Sequence, residues 1–199
     1  EENTYALQQL TDPSKIFLSV ANNHTGDFSK KVFEESTEYL DALGFNVFGF
    51  KPRPFVDLNE TIRVHAFSQW SNKRRGWESV SRLSVLERLE EYTSENLNLN
   101  GFNVLFPHWG YEYELFPRKN HIQIAKKLLK SFDAIVGHHT HVPQPVSCHW
   151  NKLVAYSLGD VWYKTDKYPY DKGCYGINLK LGIGKKEDSA KASKKSAQG

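Results

Sequence analysis

Three short apolar runs each end directly in a histidine-bearing turn, and this pattern restricts the fold more than any other feature of the chain. Ile16-Phe17-Leu18-Ser19-Val20-Ala21 leads into Asn22-Asn23-His24. Phe102-Asn103-Val104-Leu105-Phe106-Pro107 leads into His108-Trp109-Gly110, and Ala134-Ile135-Val136 into Gly137-His138-His139-Thr140-His141. Runs of this length, rich in Val, Ile, Leu and Phe, read as buried strands. In an open α/β sheet, ligands bind beyond the carboxyl ends of the strands. The three tips should therefore meet in one place and bring imidazoles and an amide with them.

The segments between these runs supply the rest of an α/β domain. Asp27 or Ser29 can cap a helix through Leu43, with Phe33, Ser36, Leu40 and Leu43 on one face and Gly44 as its stop. Phe45 to Phe50 reads as a strand, and Lys51-Pro52-Arg53-Pro54 breaks regular structure. Thr61 to Phe67 is a further strand, and residues 76 to 100 contain a helix with Val85, Leu86, Leu89 and Tyr92 as its apolar stripe. Asn120 is a candidate cap for a helix lined by Ile122, Ala125, Leu128, Leu129 and Phe132. Leu153 to Leu158 reads as a strand, and Tyr175, Ile177, Leu179 and Leu181 alternate as a half-buried strand does. Residues 1–184 form one domain on this reading. Residues 185–199 are Lys, Ser and Ala without a large apolar anchor and read as a disordered tail.

Composition narrows the function classes. At 199 residues and 39% hydrophobic, the chain can bury a substantial core. The formal charge of +3 owes much to Lys185, Lys186, Lys191, Lys194 and Lys195. Without them the remainder is slightly acidic, so the folded part does not suggest nucleic-acid binding. Cys148 and Cys174 do not make a disulfide framework in a chain this long and leave the redox compartment open. No apolar run is long enough to span a bilayer, and no signal-peptide pattern is visible. The chain has no methionine; processing and an absent N-terminal piece both explain that.

The chemistry concentrates at the histidine turns. His139 and His141, two apart in a turn, can place both imidazoles on one side and share a metal, since neutral imidazole ligates first-row transition ions. A solvated turn is the alternative, but three histidines in five residues are a poor way to build one. His138 either supports these ligands or packs. His108 is a third candidate ligand beside the other tips, although a strand-end histidine bonded to a backbone carbonyl is the commoner case taken alone. Asn23-His24 offers an amide oxygen for a metal and an imidazole for acid catalysis, or simply a helix-entry turn; spacing leaves both open. His65, His121 and His149 read as structural or surface residues. Glu112 and Lys73-Arg74-Arg75 fit solvated loops better than substrate contacts.

Ser19 to His24, His108-Trp109-Gly110 with Glu112-Tyr113, Gly137 to Val142 with Gln144, and Tyr156-Ser157-Leu158-Gly159-Asp160 together resemble the CapA family of bacterial capsule or poly-γ-glutamate synthesis proteins. The likeness runs from about Lys15 to Val161, in the family's order. That family resembles the calcineurin-like metallophosphoesterases. The resemblance implies a four-layer α/β/β/α sandwich with mixed sheets around a two-metal site. It implies Asn23, His108, His139 and His141 as metal ligands and His24 as the acid or phosphate-stabilising residue. The implied cofactors are divalent transition ions (Mn, Zn, Fe or Co), two in the intact family domain, serving a metal-dependent hydrolase. An anionic polymer or phosphate ester is the implied substrate. A membrane-associated, outward-facing setting within a capsule synthesis complex, without nucleic acid, is the implied context. A non-catalytic, polyanion-binding role is the alternative. Two departures stand out. The family's first acidic strand motifs do not occur before Ile16, so the first strands are expected to be missing and the bridging carboxylate with them. Asp160 stands where the family usually has Asn.

Overall fold

The computed structural model describes residues 2–72, 92, 95–161 and 176–184. Strands β1 (Phe17–Ser19) and β2 (Asn46–Phe48) pair in parallel as one small sheet. Strands β3 (Phe55–Asn59), β4 (Ile62–Ser68), β5 (Phe102–His108), β6 (Ala134–Val136), β7 (Val146–His149) and β8 (Lys152–Ala155) form a mixed sheet in the order β3-β4-β5-β6-β8-β7. Its four inner strands run parallel, and the antiparallel β3 and β7 are its edges. Helices α1 (Glu2–Leu10), α2 (Lys30–Ala42) and α3 (Lys119–Leu128) and a 3-10 turn at Pro13–Lys15 complete the described elements.

Side-chain alternation along the strands stacks these parts into layers. Leu18 and Val20, with Phe45 and Val47, join Phe33 and Leu40 of α2 in one apolar cluster. Phe17 and Phe48 point the other way and pack with Val56, Val64 and Ala66 of the large sheet. On that sheet's far face, Phe67, Leu105, Ile135 and Val154 meet Ala125, Leu128, Leu129 and Phe132 from α3 and the turn after it. The order is therefore α2, small sheet, large sheet, α3. This is the expected α/β sandwich, except that the small sheet is parallel among the described residues and not mixed. Burying an aliphatic or aromatic side chain in such clusters contributes roughly 1.5–3 kcal/mol each.

Local signals set the helix ends. Ser29, one of the two expected caps, accepts the Val32 N–H, and Gly44 ends the helix region at φ +88°. Thr37, not Ser36, shares the buried face with Phe33, and Ser36 is exposed. Asn120 is not the cap of α3. Arg118 holds that position without a side-chain bond, and Asn120 lies inside the first turn. The last carbonyls beyond α3 are closed from another element: Lys152 Nζ on β8 donates to Leu129 O and Phe132 O, both at 2.9 Å.

Several boundaries differ from the sequence expectation. Strand β5 extends to His108, and β8 stops at Ala155. Edge strands β3 and β7 were not foreseen, because Pro54 and Pro145 sit just before them and their exposed faces lack an apolar run. The segment 176–184 is not a strand. It makes a bridge from Gly176 to Gly159, and Ile177 and Leu181 are exposed. The proposed stripe Val85, Leu86 and Leu89, the basic run 73–75, Cys174, Tyr175 and the tail 185–199 lie outside the described residues.

His65 is structural, as expected, and its setting fixes its protonation. It is fully buried on β4. Its Nε2 faces Asn103 Oδ1 at 3.2 Å, an oxygen that also accepts the Asn98 N–H, so Nε2 carries the proton. Its Nδ1 lies 2.9 Å from the Tyr92 hydroxyl, which then donates to it. Burial pushes the His65 imidazole down to about 4. The unfolded chain protonates this group near its ordinary value of about 6.5, so between that value and about 4 the unfolded state binds more protons. Stability from His65 is complete above about 6.5 and is lost as pH falls, up to about 3 kcal/mol at about 1.4 kcal/mol per unit. We expect His65→Gln to cost about 1–3 kcal/mol at neutral pH and to flatten the fall in stability between those two values. Urea midpoints across that pH range measure both. An unchanged slope in the variant would contradict this assignment.

Candidate metal centre

The parallel strands all present their carboxyl ends at one edge, and the histidine tips meet there. Three backbone bonds continue the ladder past the strands: Trp109 N–H to His138 O, His138 N–H to Pro107 O, and Leu158 N–H to Gly137 O. These bonds set the turn 137–141 beside 108–110. The turn after β1 closes from the small sheet. Asn23 Oδ1 accepts from His108 Nε2 at 2.9 Å, across the two sheets.

The tautomers follow from this contact. With Nε2–H on Asn23, His108 Nδ1 must accept, and His138 Nδ1 lies 3.0 Å away as its donor. His138 Nε2 is then a bare lone pair, and it is buried without a partner. His138 thus both packs, stacked on Phe106 at 4.5 Å, and supports His108. The His139 ring is 4.2 Å from that of His108 and 6.4 Å from that of His141, and its buried Nδ1 has no hydrogen-bond partner. His141 Nδ1 faces the Asp160 carboxylate at 3.0 and 3.1 Å, the way carboxylates orient ligating imidazoles. The Asp160 departure therefore has a physical role here.

Backbone strain marks the same turn. His139 has φ +106° and His141 +60°, values that L residues with side chains rarely adopt. Such residues cost about 1–3 kcal/mol each and persist where the surroundings hold them. Gly137 shows how tightly this is done. A Cβ there would lie 2.2 Å from Tyr156 O and 2.3 Å from Trp109 Nε1. That space is used by the Trp109 Nε1–H bond to Tyr156 O, 2.9 Å.

Burial keeps His108, His138 and His139 neutral. Burial, followed by the neighbouring imidazoles, drives His108 down to about 2, and burial first drives His138 to about 3 and His139 to about 4. Neutral imidazole is the ligand form. Among the described residues, no three or more His, Cys, Asp or Glu side chains form a ready metal cage. One of the converging donors is an amide, and His108 is turned onto it.

His24 stands at the rim, its side chain 66% exposed, with Nδ1 2.7 Å from Asp27 Oδ2. His121 holds the framework: its Nε2 reaches Gln69 Oε1 (3.1 Å), which also accepts the Gly110 N–H. His149 bonds Ser147 on the far edge strand, and Glu112 is an exposed loop residue, as expected. Asn72, Gln69, Asp27 and Tyr113, whose ring stacks on His141 at 5.5 Å, are site neighbours that spacing did not single out. Each follows a strand that is itself legible, but single polar loop residues carry no periodic signal.

Comparison with known proteins places these residues in a family. A sequence model of the bacterial capsule synthesis protein PGA_cap matches residues 3–164. The PGA biosynthesis protein CapA of Bacillus subtilis (strain 168) is 38% identical over 175 residues, 80% of this chain and 46% of that protein. The capsule biosynthesis protein CapA of Bacillus anthracis is 38% identical over 160 residues, 72% of this chain and 39% of that protein. The chain thus spans less than half the length of either relative. A solved Staphylococcus aureus structure, provisionally described as a 5′-nucleotidase in complex with alpha-ketoglutarate, overlaps 91% of this chain and 42% of its own, with a TM-score of 0.49 at 13% identity. That overlap says nothing about activity.

The close approach at Gly137 gives a direct test of how the turn is held. Gly137→Ala is expected to cost about 3 kcal/mol or more, because both clashing atoms are fixed in the core. Gly26→Ala, where nothing lies within 4 Å, is expected to stay within about 1 kcal/mol. Equilibrium denaturation of both variants checks this, and equal stability of the two would refute it.

Proposed function

The chain belongs to the bacterial capsule synthesis family PGA_cap, and from that premise we propose that it carries a metal-dependent, phosphoesterase-type site at the carboxyl ends of its parallel strands. The observation that carries this reading is the convergence of Asn23, His108, His139 and His141 from three loops, with the His139 Nδ1 buried and unpartnered. Burial without a partner costs a polar atom about 1–3 kcal/mol, and a ligand bond would offset it.

The donor set fits one borderline-soft divalent ion (Mn, Zn, Fe or Co). Asn23 Oδ1, His139 and His141 would hold it, with Asp160 orienting His141, and His108 would join through Nε2 on changing tautomer, its Nδ1–H then donating to His138 Nδ1 and His138 Nε2 carrying the other proton. A carboxylate to bridge a second ion is not among the clustered donors. When bound, such an ion would supply an activated water and charge stabilisation to a phosphoryl group. His24 is suited to give a proton to a leaving oxygen at Nε2, because Nδ1 is engaged by Asp27 and the side chain is open to substrate. Trp70 and Tyr113 flank His139 and His141 and limit access from that side.

The names of the relatives favour a second reading, in which this site binds an anionic capsule polymer, poly-γ-glutamate by the PGA name, without turning it over. In either reading the chain acts in capsule synthesis at the cell envelope, on the outer face of the membrane and with other components of a synthesis complex. No helix among the described residues is long and apolar enough to cross a membrane.

Metal content decides first. Purified without chelator or metal resin, the chain is expected to carry close to one transition ion, and His139→Ala/His141→Ala to carry none, by elemental analysis. His24→Gln is expected to keep the metal and lose at least about 100-fold in turnover of an aryl phosphate. Polymer binding without catalysis predicts instead that His24→Gln changes nothing and that affinity falls steeply with salt. Absence of metal from both proteins would sink the first reading.

A further inference from the structure

Asn72 follows β4 and touches both halves of the site. Its backbone N–H donates to Asn23 O at 3.1 Å. Its Oδ1 accepts from Asn23 Nδ2 at 3.0 Å, and its Nδ2 donates to Asp27 Oδ1 and Oδ2 at 3.0 and 3.2 Å. The same Nδ2 lies 3.1 Å from His24 Nδ1, which is itself 2.7 Å from Asp27.

We propose that Asn72 is a positioning residue that transmits the acceptor character of the Asp27 carboxylate, through two side-chain amides in series, into the orientation of the Asn23 oxygen toward His108. The functional weight of this proposal rests on the metal reading of Asn23.

An amide can present either its oxygen or its NH2 group, and the two ends have nearly the same shape. Something must choose. The Asp27 carboxylate offers only acceptors, so it takes the NH2 end of Asn72. That leaves Asn72 Oδ1 facing Asn23, and it takes the NH2 end of Asn23. The Asn23 oxygen is then the end left for His108 Nε2–H. Reversal at any link sets donor against donor, and a reversed Asn23 would turn an NH2 group toward the space where a cation needs an oxygen. Asn72 can do this because its loop is anchored. Gln69 N–H donates to His108 O (2.9 Å), Trp70 Nε1 to Gly110 O (2.6 Å), and Ser68 Oγ to Trp70 O (2.7 Å). The loop after β4 thus ties the tip of β5 and the turn after β1 into one frame. Fixing a ligand from a neighbouring residue in this way typically changes metal affinity by 10–100-fold.

The test uses the full chain, 15N-labelled, as wild type, Asn72→Ala and Asp27→Asn. In the metal-free protein, long-range 1H–15N spectra report which His108 nitrogen carries the proton. Wild type should show Nε2–H alone, and both variants should show a mixture. Asp27→Asn is the sharper variant, because it introduces a reversible amide three links away from His108. Mn2+ titration by calorimetry should show affinity at least 10-fold weaker in Asn72→Ala, with the thermal unfolding midpoint serving as the folding control. An unchanged His108 tautomer in both variants overturns the proposal. Wild type that binds no Mn2+, with the tautomer still sensitive to Asn72 and Asp27, overturns the metal reading and upholds the amide relay.

Discussion

The bond from His108 to Asn23 joins the two sheets at their polar end, beside the contacts that Asn72 makes to Asn23 and Asp27. Elsewhere they meet through Phe17, Phe48, Val64 and Ala66, contacts that are apolar and non-directional. The His108–Asn23 contact is directional and buried, so it selects one relative placement of the turn after β1 and the tip of β5. It also forces the tautomer of His108 and, through it, that of His138. Burial penalises the charged form of each imidazole and so leads the downward shifts of His108, His138 and His139, with neighbouring imidazoles adding to it.

Strain and tight packing around this point support one another. His139 and His141 occupy left-handed backbone conformations that only a rigid frame sustains. The frame comes from Gly137, whose missing Cβ lets the Trp109 indole reach Tyr156 O. It also comes from Gln69, whose oxygen gathers the Gly110 N–H and His121. Residues that look structural in isolation, such as His121, therefore act on the site through the loops they anchor. The loop after β4 has the same character, since it braces the β5 tip while Asn72 reaches the turn after β1.

Much of this arrangement was legible in the sequence because parallel strands are buried on both faces. Phe102 to Pro107 and Ala134 to Val136 could be read as strands from apolar content alone, and the ends of such strands are where polar groups collect. The Ser29 cap and the Gly44 stop of α2 were readable for local reasons, as capping chemistry lies within a few residues. The α3 cap departs from the local signal: Asn120 is the better capping type, yet Arg118 occupies the position and the fold closes the far end with Lys152 from β8. Strands β3 and β7 escaped notice because an edge strand has one partner and needs no continuous apolar run. The segment 176–181 alternates like a strand, but among the described residues it makes one bridge, showing that alternation without a ladder partner does not make a sheet.

The sequence by itself determined the α/β class, the positions of the buried parallel strands, and the placing of Asn23, His108, His139 and His141 at their ends. Each of these follows from periodicity and from chain direction, which are properties of contiguous residues. Only the tertiary structure decided the hydrogen-bond polarity of the site: which nitrogen of His108 carries its proton, which end of Asn23 faces it, and that Asn72 and Asp27 continue that line of contacts while Asp160 faces His141. Those partners are separated by up to 85 residues in the chain. The orientation of an amide or an imidazole is fixed by what touches it, and contact at that range exists only after the sheets have packed.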